Sequence, residues 1–207
     1  DSLTKIRFAG GYNDVVIDKY AFRDCAALHS VVFEKNSRIS TLEEGAFYGC
    51  AAITSIEFPA ALTKIGANAF YQCYGLQSII FAENGKTLAF GENAFMECTS
   101  LTSVDLPAYV TEIPGVFGGC SSLEAVNVAE NSPYLTSIDG VVFNKSVTEI
   151  LFFPQGRSTE YYLPETVTSI ASGVFSGVKK LKKLHVSNSI TNIGEQAFKE
   201  AAITSIL

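Results

Sequence analysis

The amino-acid sequence predicts a repeat solenoid, mainly β with short helical or 3-10 turns, of about nine rungs. Three observations support this prediction. A phenylalanine preceded by Ala or Val recurs at spacings of 22 to 32 residues, each of the five cysteines lies three residues after such a phenylalanine, and an L-x-x-V-x-F pattern begins six residues after it. Self-similarity at a period of 20 to 50 residues is the sequence signature of stacked repeats.

The phenylalanines and cysteines mark the same turn of each repeat. One repeat cannot bury its own apolar residues, but stacked repeats share a continuous core. The recurring phenylalanines are Phe22, Phe47, Phe70, Phe95, Phe117, Phe143, Phe175 and Phe198. The cysteines are Cys25, Cys50, Cys73, Cys98 and Cys120.

The L-x-x-V-x-F pattern predicts the main strand of each repeat. Its last two apolar positions are two residues apart, which is the period of a half-buried strand. Regular copies begin at Leu28, Ile53, Leu76, Leu101, Leu123 and Leu181, with an earlier copy at Leu3, a looser one at Val147 and a final one at Ile203. A V-T-x-I pattern then predicts a second, shorter strand, and Pro59, Pro107 and Pro164 mark the corner between the two strands.

Composition limits the classes of function. Hydrophobic residues make up 47% of the 207 residues and charged residues 17%, so the chain can bury a core. The net charge of −6 argues against binding to nucleic acid or to anionic lipid. The sequence contains no run of about 18 apolar residues, so it predicts no membrane span. We expect residues 1–207 to form one solenoid domain that is truncated at both ends, where open strand edges would permit end-to-end self-association.

The repeat closely resembles the BspA-like leucine-rich repeat family. The resemblance is carried by residues 62–70, LTKIGANAF, and 117–123, FGGCSSL, and it covers nearly the whole chain. Residues 129–163 depart from the repeat as an irregular hairpin unit, after which Tyr161 to Pro164 resemble the return to the regular pattern. The resemblance implies a secreted or cell-surface protein that binds host proteins or mediates adhesion. It carries no catalytic motif and no cofactor.

The cysteines and histidines are the candidate reactive residues. The sequence contains no C-x-x-C pair, so the cysteines do not suggest a metal site. Neighbouring rungs would bring the cysteines within disulfide range, but parallel Cβ directions disfavour bridging, so we expect buried free thiols. His29 and His185 lie on different rungs without a paired nucleophile, which argues against catalysis.

The outward positions of the main strands form the candidate binding surface. Repeat proteins bind through such a sheet because the backbone holds side chains in rows. Acidic residues stand in the middle of this surface and basic residues at its ends. The predicted binding residues are Lys5, Arg7, Val32, Glu57, Ile80, Asp105, Asn127, Glu149, Leu151, Lys183 and His185. The leading hypothesis is a non-catalytic protein-binding or adhesion module, and the alternative is a structural spacer that presents another domain.

Overall fold

A computed structural model describes residues 2–83, 85–157 and 159–207, and Asp1, Asn84 and Ser158 lie outside the described residues. The described chain forms 18 strands and no helix, and these strands stack in mostly parallel pairs. The predicted repeat solenoid of about nine rungs is therefore confirmed. The predicted short helical or 3-10 turns are instead successive β-turns, described below.

The main sheet takes one strand from each regular repeat. Its strands are β1 (Lys5–Phe8), β3 (Ser30–Phe33), β5 (Ser55–Phe58), β7 (Ser78–Phe81), β9 (Ser103–Leu106), β10 (Ala125–Val128), β14 (Glu160–Tyr162), β16 (Lys183–His185) and β18 (Ser205–Ile206). They pair in four hydrogen-bonded groups: β1 with β3, β5 with β7, β9 with β10, and β14 with β16 and β18. Parallel pairs keep equivalent residues opposite one another, as Glu57 lies opposite Ile80. Because successive side chains point to opposite faces, Ile56 and Phe58 are buried while Ser55 and Glu57 are exposed.

The second sheet takes the shorter strand of each repeat. Its strands are β2 (Val15–Ile17), β4 (Ile39–Leu42), β6 (Lys64–Ile65) and β8 (Ala89–Phe90), followed after an interruption by β13 (Glu149–Phe152), β15 (Ser169–Ile170) and β17 (Asn192–Ile193). The predicted proline corners join the two sheets. The carbonyl of Pro59, for example, accepts a hydrogen bond of 3.1 Å from the N–H of Leu62.

The irregular segment forms the interruption. Strands β11 (Leu135–Ile138) and β12 (Val141–Asn144) make an antiparallel hairpin, and β12 then pairs antiparallel with β13. The hairpin turn places Asp139 and Gly140 in the left-handed region, at φ 50° and 73°. Two consecutive left-handed residues are typical of the tight turns that match the twist of a hairpin.

The assignment of residues 147–152 to the main sheet was wrong. Glu149 lies opposite Ser169 and Ile150 opposite Ile170, both in the second sheet. The segment V-T-E-I at 147–150 also fits the V-T-x-I pattern, and the similar apolar spacing of the two patterns made them hard to distinguish. Strand β14 takes the corresponding place in the main sheet, with Tyr161 opposite Leu184.

A stack of phenylalanine rings runs through the core. Ring centroids are 5.2 Å apart between Phe47 and Phe70 and 5.1 Å apart between Phe70 and Phe95. Phe143 was wrongly predicted to mark a turn of the repeat, since it lies on β12 within the hairpin. Phe153 joins the ring stack instead, and its ring centroid lies 5.3 Å from that of Phe175.

The turns that carry these phenylalanines have a fixed backbone pattern. The residues two before and two after the phenylalanine are left-handed in the turns at Phe22, Phe47, Phe70, Phe95, Phe117, Phe175 and Phe198, as at Asn68 (φ 55°) and Gln72 (φ 59°) around Phe70. Hydrogen bonds from Ala69 to Gly66 and from Tyr71 to Asn68 define two overlapping β-turns. Left-handed residues cannot continue a right-handed helix, so the helical turns predicted here do not form.

The cysteines lie on the inner side of the turns as free thiols. Cys50, Cys73, Cys98 and Cys120 are buried, and each Sγ donates a hydrogen bond to the carbonyl of the phenylalanine one turn earlier, at 3.0 to 3.3 Å. Cys25 is only half-buried. Burial raises the pKa of Cys50 to about 12, so this thiol stays protonated at neutral pH.

Candidate functional site

The main-sheet face is the solvent-exposed surface of β1, β3, β5, β7, β9 and β10. Its first row contains Lys5, Ser30, Ser55, Ser78, Ser103 and Ala125, and its second row contains Arg7, Val32, Glu57, Ile80, Asp105 and Asn127. Neighbouring strands of a sheet are about 4.8 Å apart, so each row presents one side chain at every such step.

Apolar and acidic side chains alternate along the centre of the second row. Val32 is 44% exposed and Ile80 is 50% exposed, although both are large apolar residues. Glu57 and Asp105 are exposed beside them. The arrangement offers hydrophobic contact and negative charge at fixed separations, which suits a partner that bears both apolar and basic groups.

Hydrogen bonds and ion pairs orient other members of the row. The amide of Asn127 donates to a carboxylate oxygen of Asp105 at 2.8 Å. The guanidinium of Arg7 forms an ion pair with Glu34, so its charge is partly balanced within the chain. The basic end expected at Arg7 is therefore weaker than the sequence suggests.

A shallow groove borders the main-sheet face where β7, β9 and β10 end. Its volume is about 440 Å³, and its lining includes Ile80, Phe81, Asp105, Pro107 and Asn127. Ile80, Asp105 and Asn127 therefore belong both to the exposed row and to the wall of the groove. The phenol of Tyr109 donates a 2.6 Å hydrogen bond to the carbonyl of Ala82 nearby, which fixes the corner of this region.

Two of the predicted binding residues lie elsewhere. Glu149 and Leu151 belong to β13 in the second sheet, where both are half-buried. Glu149 accepts a hydrogen bond from the hydroxyl of Ser169 at 3.4 Å, and Leu151 packs against the core. The structure therefore does not bring them together with Glu57 and Asp105.

Lys183 and His185 lie on the main sheet beyond the interruption, with two residues that the sequence analysis missed. Glu160 and Tyr162 stand opposite them on β14. The imidazole of His185 is 2.8 Å from a carboxylate oxygen of Glu160 and stacks on the ring of Tyr162, with centroids 3.9 Å apart. This hydrogen bond, together with the nearby Lys183, lowers the pKa of Glu160. The sequence does contain a signal for this strand, namely the corner proline Pro164. Glu160 lies four residues before Pro164, just as Ser55, the first residue of β5, lies four residues before Pro59.

An aromatic strip on the turns was also missed. The rings of Tyr48 and Tyr71 stack with centroids 4.9 Å apart, and the guanidinium of Arg23 lies 4.8 Å from the centroid of Tyr48. The phenol of Tyr74 is 3.5 Å from Glu97, and this tyrosine is 42% exposed. The tyrosines that directly follow Phe47 and Phe70 are visible in the sequence, but their stacking depends on the register of the turns.

The residues that the structure describes form neither a metal-binding cluster nor a membrane-spanning helix. Within the described ranges, no group of three or more His, Cys, Asp or Glu side chains is arranged to hold a metal ion. The described part of the chain also contains no helix that is long and apolar enough to cross a membrane.

The fold and the repeat define a leucine-rich repeat solenoid. The family model for the BspA-type leucine-rich repeat region (six copies) matches residues 15–149 and 145–207 of this chain. The chain therefore belongs to the BspA-type leucine-rich repeat family, as the sequence resemblance predicts. No curated protein matches the chain with significant similarity.

Solved structures share the fold. The pneumococcal vaccine antigen PcpA is 26% identical, with a TM-score of 0.78 over 99% of this chain and 48% of that one. A leucine-rich cell surface protein from Faecalibacterium prausnitzii is 22% identical, with a TM-score of 0.75 over 99% of this chain and 60% of that one. A leucine-rich repeat protein from Eubacterium ventriosum is 22% identical, with a TM-score of 0.60 over 95% of this chain and 57% of that one. The chain thus spans about half the length of these proteins.

Proposed function

We propose that the chain is a non-catalytic protein-binding module, displayed on a bacterial surface or secreted, that contacts its partner through the main-sheet face. The observation that carries this proposal is the row in which exposed Val32 and Ile80 alternate with Glu57 and Asp105. A spacer needs no exposed apolar side chains at regular steps on a flat sheet. Such side chains, flanked by charge, are characteristic of protein interfaces.

The acidic residues indicate the chemistry of the partner. Glu57 and Asp105 lie two strands apart in the same row. The basic residues Lys64 and Arg38 lie away from this face, where each forms an ion pair with another carboxylate. The centre of the main-sheet face is therefore acidic and partly apolar. We expect a partner surface on which Lys or Arg side chains are interspersed with apolar ones, and salt should weaken the association.

Surface display is supported by the relatives rather than by the chain's own residues. The Faecalibacterium prausnitzii protein is described as a cell surface protein and the pneumococcal protein as a vaccine antigen. An extracellular partner is consistent with those descriptions.

The test is binding of the purified, reduced protein to a panel of extracellular matrix and serum proteins. A double variant, Glu57→Lys with Asp105→Lys, reverses the charge at the centre of the main-sheet face. Glu92→Lys with Glu195→Lys is the matched control, since both residues are exposed and lie outside that face. The proposal predicts saturable binding that the first variant weakens at least tenfold and the control retains.

Other outcomes have defined meanings. Binding that survives in Glu57→Lys with Asp105→Lys would place the contact on another face. Absence of binding across the panel would favour the spacer. Circular dichroism and thermal unfolding of both variants establish that they remain folded, because a loss of binding is informative only in a folded protein.

A further inference from the structure

The turns that carry the stacked phenylalanines are joined by a regular backbone ladder. In the turn at Phe47, the N–H groups of Gly45, Phe47 and Gly49 donate to carbonyls of the next turn at 2.9, 2.8 and 2.8 Å. The same three positions donate in the turns at Phe22, Phe70 and Phe175. The turn at Phe95 donates through Phe95 and Glu97.

This ladder is interrupted after the turn at Phe117. The described residues of the irregular segment supply no turn of this kind, and the next such turn along the described chain is the one at Phe175. Among the described residues, no acceptor pairs with the N–H groups of Gly115, Phe117 and Gly119. Their register counterparts across the gap are the carbonyls of Ser172, Val174 and Ser176.

The turn at Phe175, on the other side of the gap, has the complementary groups. No described N–H group donates to the carbonyls of Ser172 and Val174. The carbonyl of Ser176 accepts a 2.9 Å hydrogen bond from the side-chain amide of Gln155, which replaces the missing backbone donor. One wall, the turn at Phe117, thus presents backbone N–H donors at every second residue. The other wall, the turn at Phe175, presents backbone carbonyl acceptors in the same order.

A cleft of about 470 Å³ lies between these two walls. Gly115, Gly118 and Gly119 line one side, and Gly173 and Gly177 line the other. On the second side another backbone can approach closely, because a Cβ at Gly173 would meet no atom within 4 Å and one at Gly177 would meet only the side-chain amide of Gln155. The remaining lining includes Leu151, Phe152 and Phe153, which make the cleft partly apolar.

We propose that this cleft binds a segment of a partner polypeptide in the same turn conformation, whose backbone continues the interrupted ladder. Its carbonyls would accept from Gly115, Phe117 and Gly119, and its N–H groups would donate to Ser172 and Val174. Addition of a backbone segment to an unpaired row of donors or acceptors is a recurring mode of peptide recognition, and apolar contacts then provide selectivity. This site is separate from the main-sheet face and does not depend on the function proposed above.

The variant Gly118→Tyr is designed to fill the cleft without unfolding the turn. The nearest atoms to a Cβ at Gly118 are 3.7 Å away, which is an ordinary contact, and Gly118 is not left-handed. Tyr48 and Tyr71 occupy the equivalent position, directly after the phenylalanine, in other repeats. Arg23→Tyr is the matched control, because Arg23 holds the same position far from the cleft.

The experiment selects binders from a displayed library of linear 12-residue peptides with the purified protein. We expect enriched peptides whose affinity falls at least tenfold for Gly118→Tyr and is retained by Arg23→Tyr. Replacing alternate peptide residues by proline should abolish binding where alanine at the same positions does not, because proline removes the backbone N–H.

Four results would overturn the assignment. The first is enrichment only of peptides that bind Gly118→Tyr as well as the parent protein. The second is equal tolerance of proline and alanine, which would indicate recognition of side chains alone. The third is the absence of enriched peptides together with a concentration-dependent dimer that Gly118→Tyr abolishes, which would make a second copy of this chain the occupant. A selection that yields no binder and no dimer also counts against the proposal.

Discussion

The thiol of Cys73 donates a hydrogen bond to the backbone carbonyl of Phe47, in the preceding turn, with a Sγ–O distance of 3.3 Å. The same contact recurs from Cys50, Cys98 and Cys120 to a phenylalanine carbonyl one turn earlier. A small apolar side chain with a weak donor therefore fills the space between the turns and adds a second hydrogen bond to a carbonyl that already accepts one within its own turn, as Phe47 does from the N–H of Cys50.

Replacing Cys73 with alanine should lower the free energy of unfolding by about 1–3 kcal/mol, since it removes buried volume and one of the two hydrogen bonds to the Phe47 carbonyl. Urea unfolding followed by circular dichroism measures the change. Cys25→Ala is the control, because Cys25 is half-buried and begins the series, and its loss should be smaller. An equal loss in both variants would show that the contact between turns is not the cause.

The protein should lose stability as the pH rises above about 9. Burial raises the pKa of Cys50 from 9.0 to about 12, so the folded state holds this proton more tightly than the unfolded chain. A group whose pKa is raised by folding contributes stability below its unfolded pKa and loses that contribution as the pH rises toward its folded value. Burial raises the pKa of Cys73 as well.

The measurement is the urea midpoint between pH 7 and pH 11, for the parent protein and for Cys50→Val with Cys73→Val. Valine is the natural residue at the equivalent position 178. The variant should show a shallower decline with pH than the parent. Identical slopes would mean that other groups, such as the buried Tyr161, cause the alkaline loss.

Phe70→Ala should cost about 3–5 kcal/mol, because the ring is fully buried and its removal leaves a large cavity. Phe70 stacks between Phe47 and Phe95, so the cavity would interrupt the ring stack in the middle of the solenoid. Chemical denaturation measures the loss. The exposed Tyr74→Ala should change stability by less than about 1 kcal/mol, and a comparable cost there would contradict this account of the core.

His185→Ala should raise the pKa of Glu160 toward its ordinary value of 4.5. The hydrogen bond to His185 is the largest cause of the lowered pKa of Glu160, and Lys183 adds to it. Carboxyl chemical shifts, followed by NMR between pH 2 and pH 7, report this titration directly. Lys183→Ala should produce a smaller rise, and an unchanged titration in His185→Ala would mean that the contact does not persist in solution.

Sequence repetition predicted most of the fold. Each regular repeat has the same apolar spacing, so the spacing alone locates the strands, the proline corners and the buried thiols. Local patterns specify these features, because a strand has a period of two residues and because equivalent residues stack in register. The main-sheet residues from Arg7 to Asn127 were predicted for the same reason.

The irregular segment depended on tertiary structure. Residues 147–152 fit two repeat patterns, and only pairing with β15 placed Glu149 and Leu151 in the second sheet. Phe143 and Phe153 are both apolar and buried, and only the packing of the rings shows that Phe153 faces Phe175.

The sequence by itself determined that this protein is a solenoid of stacked strands with an ordered outer face, because each repeat contains its own pattern of buried and exposed positions. The tertiary structure decided which strand pairs with β16 in the main sheet, how Tyr162 meets His185, and where the ladder of turns is interrupted. Those features arise from contacts between residues that are distant in the chain, and no local spacing specifies them.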